Sequence, residues 1–240
     1  VFHGGVQLDA LRHMMQWEQA DVAALAGELI QTGLATPNPY NHLTLNPALC
    51  PYLRGRLDAA EHETLTARWV EAMGAYVDFL VRRHSQNAEL AATLTGLELP
   101  NLFALLDRVQ HAGEAEATIN LTTSLYSLLQ GLGKPRLLER VGQVRDTAAA
   151  TLGDAWNHAR FEAARTRIEQ QRAGGQLREA FADAQALLQR ARTAGKQAYP
   201  RADYDLAMAC WLLARVLQTV GGAEPALPLL DEARQRFETI

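Results

Sequence analysis

The stretch from Gly175 to Ala191 constrains this chain most, because its apolar residues can be covered in only one way. Leu177, Ala180, Phe181, Ala184, Leu187, Leu188 and Ala191 recur at spacings of three and one, which places them on one stripe of a helix. Arg178, Glu179, Asp183, Gln185, Gln189, Arg190 and Arg192 fall on the other side. Gly221 follows Gly175 by 46 residues, Ala226 stands to it as Ala180 stands to Gly175, and Leu227, Leu230, Ala233 and Phe237 continue a second stripe. A glycine turn followed by an amphipathic helix, repeated, implies stacked helix hairpins, since neither helix can bury its apolar face alone.

The remainder of the chain is compatible with that solution. Its 240 residues are 48% hydrophobic and 21% charged, enough to build a true core in one or two domains. A net charge of −4 gives no global basic field, so nucleic acid is a poor partner unless a local patch provides one. Cys50 and Cys210 stand 160 residues apart with no CxxC context, which suits a reducing cytoplasm better than a disulfide framework. No apolar run approaches the roughly 20 residues needed to span a bilayer. The chain starts at Val1 without an initiator Met and stops in mid-pattern at Ile240. The expectation is therefore a fragment, with repeats continuing past residue 240.

In chain order, a short helix is expected from Leu8 to Trp17, and a second capped by Asp21 and stopped by Gly33. Residues 34–36 and 42–45 read as short strands around the turn-rich segment 37–41. Asn46 and Pro47 have the chemistry of an N-cap and first helical residue for a helix through Leu49, Tyr52, Leu53 and Leu57. That order, helix, helix, hairpin and helix, is most of a winged-helix-like domain over residues 1–57. A long connecting helix and linker follow over 58–96, with Leu65, Trp69, Ala72, Met73, Tyr76, Phe79 and Leu80 on one face. Helical pairs then occupy 97–240, punctuated by Gly96, Pro100, Gly113, Gly131, Gly133, Pro135, Gly153, Gly174, Gly195, Pro200 and Gly221. Residues 206–220 are apolar nearly all round and must be covered on two sides.

The glycine-to-alanine turn resembles that of a tetratricopeptide (TPR) helix pair. Phe2-His3-Gly4-Gly5, then Leu43-Thr44-Leu45-Asn46-Pro47-Ala48-Leu49-Cys50-Pro51-Tyr52-Leu53-Arg54, is similar to the winged-helix domain of STAND ATPases, bacterial relatives of the NB-ARC switch proteins. Pro100-Asn101-Leu102-Phe103-Ala104-Leu105-Leu106 resembles the first helix pair that follows it, and the later repeats resemble the TPR-type sensor arm. The resemblance implies a mostly α protein: a TPR-like right-handed superhelix of helical hairpins behind a small winged-helix segment. It implies no cofactor in this segment, with ATP or ADP bound by a domain ahead of Val1. In the family, a histidine opening the last winged-domain helix contacts the ADP phosphate. The matching residue here is Asn46, which carries no positive charge, so a weakened nucleotide contact or a plain N-cap is implied.

Motifs that would carry catalysis fail on inspection. Gly133-Lys134 and Gly195-Lys196 lack the first glycine of a phosphate loop, where Leu128 and Arg190 stand, and its Ser or Thr, where Pro135 and Gln197 stand. His62-Glu63 has Thr66 in place of the second zinc-binding histidine, and no spaced set of ligands replaces it. Ser124 and Ser127 have no nearby base. The expected DNA-reading helix, residues 21–32, holds Glu28 and no Arg or Lys, which argues against DNA binding. The best charged feature is Arg160, Arg165, Arg167, Arg172 and Arg178: either a solvated face neutralised by Glu162 and Glu169, or a groove wall that clamps a partner's carboxylate or phosphate. Two functions stay open. One is the non-enzymatic sensor region of a STAND signalling ATPase, binding a protein or small-molecule ligand on its repeats; the other is a free-standing interaction scaffold without nucleotide switching.

Overall fold

In a computed structural model, which describes residues 1–152 and 156–240, and residue 54 through its backbone alone, three-quarters of the chain is helical. Gly153, expected to punctuate the hairpins, lies outside the described residues. The first unit comprises residues 1–114 and 124–141, the second residues 115–123 and 142–240.

The first unit begins with β1 (Gly5–Gln7), α1 (Leu8–Met15), α2 (Gln19–Gln31), β2 (Ala35–Asn38), β3 (His42–Leu45) and α3 (Leu49–Arg54). Both expected strands form, and β1 adds an antiparallel third in the order β1-β3-β2. β1 was not legible because three residues are too few to display a period. The hairpin tip turns through left-handed Tyr40 and Asn41, and the Asn41 carbonyl accepts from the Leu8 amide at 2.8 Å, tying the tip to the start of α1. The second helix starts two residues ahead of Asp21, with Glu18 at its N-cap. Asp21 instead sits in the first turn, where its charge favours the positive helix end. α3 is also shorter than expected. The Asn46 side chain accepts from Ala48 N at 3.0 Å and its carbonyl from Leu49 N at 2.9 Å, so Asn46 and Pro47 build a turn ahead of the helix.

α4 (Ala59–Gln86) starts with a full capping box: the Asp58 carboxylate accepts from Glu61 N at 2.8 Å and the Glu61 carboxylate accepts from Asp58 N at 3.1 Å. Trp69, Ala72, Met73, Tyr76 and Leu80 are buried as the stripe requires, while Thr66 and Val77 take positions deeper than Leu65 and Phe79. α5 (Ala88–His111) runs straight through Gly96 and Pro100, both expected as breaks. Both face solvent, where water can satisfy the backbone groups that a proline leaves unpaired, and buried Leu94, Leu102, Leu105 and Leu106 hold the helix from the other side.

α6 (Ala115–Gln130) and α7 (Pro135–Thr151) contribute residues to both units. The second unit continues with α8 (His158–Ala173), α9 (Leu177–Ala194), α10 (Ala202–Thr219) and α11 (Ala223–Phe237). The sequence echo is a structural one. Gly175 and Gly221 both have left-handed φ (+78° and +83°), and the turns share their bonds: Gln176 N to Gln171 O and Gly222 N to Leu217 O, each 2.8 Å. Ala180 and Ala226 are both fully buried. Helices of 15 to 18 residues and the link over 195–201 account for a period longer than the roughly 34 residues of a standard TPR. α10 packs against α8, α9 and α11, which explains its apolar circumference. Alanines 180, 184, 191, 209 and 233 among Phe161, Leu187, Leu212 and Val216 let the helix axes approach closely. Among the described residues, no helix is long and apolar enough to cross a membrane.

Candidate functional site

A solvent-open groove of about 390 Å³ lies in the second unit, on faces of α7, α8 and α9. α8 supplies Arg160, Ala163, Ala164, Arg167 and Ile168, of which Ile168 belongs to the core and Ala164 packs against it. α9 supplies Asp183, Ala186, Leu187 and Arg190, spaced three, one and three. Asp146 and Ala149 of α7, with Trp156 just ahead of α8, complete the lining. Ala163, Ile168 and Leu187 are buried and form an apolar floor.

The charges on the walls are unequally satisfied. Asp146 is held by Arg145, whose Nε and Nη2 donate to its Oδ1 at 3.3 and 3.1 Å. Arg145 is itself fully buried, and its Nη2 also donates to Gln170 at 2.9 Å. Gly142 makes room for this arrangement, since a Cβ there would stand 3.1 Å from the Gln170 amide nitrogen. Asp183 accepts from Gln171 Nε2 at 2.8 Å, and Arg167 Nε is 3.9 Å away, too far for a hydrogen bond. Arg160 donates to the Leu152 carbonyl at 2.7 Å, and Arg190 lies over the Trp156 ring at 4.6 Å. Among the described residues no carboxylate comes within 4 Å of the guanidinium of Arg160 or Arg190. The groove thus combines an apolar floor with three arginines against two acids: Arg167 and Asp183 form a long ion pair, while among the described residues Arg160 and Arg190 have no carboxylate partner.

The expected arginines divide between two roles. Arg160 and Arg167 line the groove. Arg165 does not: it clasps Glu162 in a bidentate pair (3.0 and 2.7 Å) and Glu169 at 3.0 Å. Those two carboxylates outweigh the opposing effect of burial and raise its pKa further. Arg172 is half-buried, with Nε lacking a partner, and lies away from the groove lining. Arg178 is exposed on α9. Arg190 lies on a second α9 stripe at 183, 186, 187 and 190, next to the buried one, and that spacing is its sequence signal; Trp156, ahead of α8, belongs to no helical period.

Two further polar clusters hold elements together. His158 Nδ1 lies 2.9 Å from both oxygens of the fully buried Asp205, and Tyr199 donates to the same carboxylate at 2.9 Å. Burial, and then the Asp205 charge, pushes the Tyr199 phenol well above its usual range. Glu162 is near enough to form a three-ligand set with His158 and Asp205, which the chain's spacing did not reveal. Both Glu162 oxygens already accept from Arg165, and Arg201 stands 3.4 Å from His158 Nε2, so the cluster reads as a clamp between α8 and α10.

In the first unit, buried Asn101 accepts from His3 N at 2.7 Å and donates to Gly5 O at 2.9 Å and Glu98 Oε2 at 2.6 Å. His42 Nε2 stands 3.3 Å from Glu98 Oε1, off the line of a hydrogen bond. A Cβ on Gly5 would overlap the His42 ring, so only glycine lets β1 lie this close. Asn46 is exposed, with its side chain engaged in its own turn. Gly133 and Gly195 are left-handed turn residues at helix ends. No family model, curated protein or solved structure matches this chain.

Proposed function

We propose that this chain is a non-catalytic sensor region of a STAND-type signalling or transcription-regulating ATPase. Its TPR-like hairpins bind a protein or ligand, and its winged-helix-like part relays the event to an upstream nucleotide domain. The partner-binding half rests on one observation: the solvent-open groove on α7, α8 and α9, with an apolar floor and more cations than acids among its described lining residues. A partner drives such a switch only through different affinities for the two states, so it must contact residues that the states present differently.

The relay half rests on the resemblance, and on the meeting of its separated motifs. His3 and Gly5 come together with Asn101, which accepts from His3 N and donates to the Gly5 carbonyl. A shift of α5 is thereby coupled to β1. Two measurements test these halves separately. Ala186→Glu, at an exposed lining position, fills the groove without entering the core, and should abolish ligand binding at unchanged thermal stability; intact binding refutes the groove. The coding region ahead of Val1 should contain GxxxxGK[ST] followed by an apolar strand ending in Asp, and a region without it refutes the relay.

A further inference from the structure

We infer that the groove takes an acidic segment of a protein partner, with a carboxylate between Arg160, Arg167 and Arg190 and a neighbouring apolar side chain on the floor of Ala164, Ile168 and Leu187. This deepens the proposed partner-binding role and rests on it. The sign of the charge follows from how the wall residues are satisfied. Asp146 is neutralised from beneath by Arg145, a guanidinium that is fully buried and does not line the groove. Asp183 already accepts an amide hydrogen from Gln171. Asp183 also faces the Arg167 guanidinium at 3.9 Å, so each acid has a cation of the protein beside it, and the lining holds more cations than acids, with Arg160, Arg167 and Arg190 against Asp146 and Asp183.

Arg190 is in the opposite condition, with no carboxylate partner among the described residues. Arg190 is stacked on Trp156, and stacking engages the face of a guanidinium while its N–H edge stays free for a planar carboxylate. It also restricts the side chain before the ligand arrives, which lowers the ordering cost of binding. Arg167 faces it from α8, exposed and 3.9 Å from its nearest acid. A volume of about 390 Å³, open to solvent, seats two or three side chains of an extended chain and leaves its backbone outside. The alanines at 163, 164 and 186 keep the trough shallow enough for a peptide to lie along it.

The test uses the whole chain and three fluorescein-labelled 12-residue peptides: Glu alternating with Leu and Phe, the same peptide with Gln for Glu, and the same with Lys for Glu. Anisotropy gives affinity, and Trp156 emission, identified by its loss in Trp156→Phe, reports occupancy of this groove. The Glu peptide should bind and shift Trp156 emission, with affinity falling at least tenfold between 50 and 300 mM salt. The Gln and Lys peptides should bind at least tenfold more weakly. Arg167→Ala with Arg190→Ala should weaken the Glu peptide at least tenfold while the far-UV melting curve stays unchanged, and Arg190→Lys should recover little, because an ammonium lacks the fork. Equal binding of the Gln peptide, or of the Glu peptide to the double variant, overturns the inference. If the Gln or Lys peptide binds best and shifts Trp156 emission, the acidic-segment inference is overturned and the groove is a peptide site of another charge class. If no peptide shifts Trp156 emission, both the inference and the peptide-binding role of this groove are refuted.

Discussion

Replacing Asn101 by Leu isolates the contribution of the buried polar network under the sheet. Leucine keeps the number and branching of the side-chain heavy atoms and removes every hydrogen-bonding atom. Three groups then lose a partner: the His3 N–H, the Gly5 carbonyl and the Glu98 carboxylate. Glu98 is almost completely buried, so water cannot replace the bond to it without opening the structure. An unsatisfied buried group costs about 1–3 kcal/mol, and more if charged. The β1–β3 ladder bonds fall at Gly4 and Leu45, so Gly5 opposite Thr44 has no ladder bond for its carbonyl and depends on Asn101, while Glu98 belongs at the high end. The expected total is about 3–5 kcal/mol, a large part of the roughly 5–15 kcal/mol that holds a domain together. Urea unfolding followed by far-UV circular dichroism should show it as a lowered midpoint at unchanged slope. Hydrogen exchange should show peptides covering Gly5–Gln7 losing protection before those covering α9 and α10. A loss below about 1 kcal/mol, or full protection of β1 in the variant, would refute the assignment of Asn101 as the anchor of β1 to α5.

Arg165→Ala should cost about 1–3 kcal/mol in urea unfolding, because Glu162 and Glu169 are left facing each other in a mostly buried site, whereas exposed Arg167→Ala should cost less than about 0.5 kcal/mol. Burial alone would raise the Glu232 pKa, but the hydrogen bonds and charges of Arg192 and Arg236 outweigh it and hold the carboxyl below its ordinary value. A depressed carboxyl pKa adds stability that is present above the unfolded value and lost as pH falls through the folded one. Glu232→Gln should therefore destabilise at neutral pH, by about 1 kcal/mol or less, and flatten the loss of stability on acidification below about pH 4.5. Burial, with Glu232 acting in the same direction, pushes the Cys210 thiol up to about 11. At pH 8 a thiol reagent should label half-buried Cys50 in the native chain, and reach Cys210 only as the chain unfolds.

The fold was most legible where a period persisted. Seven positions on α9 and the matching glycine turn fixed a repeat that the shared bonds at Gly175 and Gly221 reproduce. It was least legible where a tertiary contact overrides a local signal. Gly96 and Pro100 have the chemistry of a break, yet α5 continues because its opposite face is buried and Asn101 is fastened to β1. β1 is the same effect in reverse: three residues become a strand because β3 offers an edge and Gly5 can approach the His42 ring.

For the groove, sequence separated the relevant helix from its neighbours but could not sort its arginines. Arg160, Arg165 and Arg167 lie within one and a half to two turns of α8, and their fates depend on angle about the axis. Glu162 and Glu169 sit one turn either side of Arg165, so local pairing satisfies it inside its own helix. Arg167 points toward α9 instead, where the closest acid is already engaged by Gln171. The decisive residue for the groove's sign is Arg145, whose role no spacing predicts because it depends on a buried guanidinium neutralising the Asp next to it in sequence. If Arg145→Met frees Asp146, the groove gains an unpaired carboxylate at no change in lining residues. Its affinity for the Glu peptide should then fall and for the Lys peptide rise, and adding Asp146→Ala to the Arg145→Met background should restore the Glu preference. A Glu preference that survives Arg145→Met in a folded variant would mean that the arginines set the charge alone, and that the satisfied state of Asp146 is incidental.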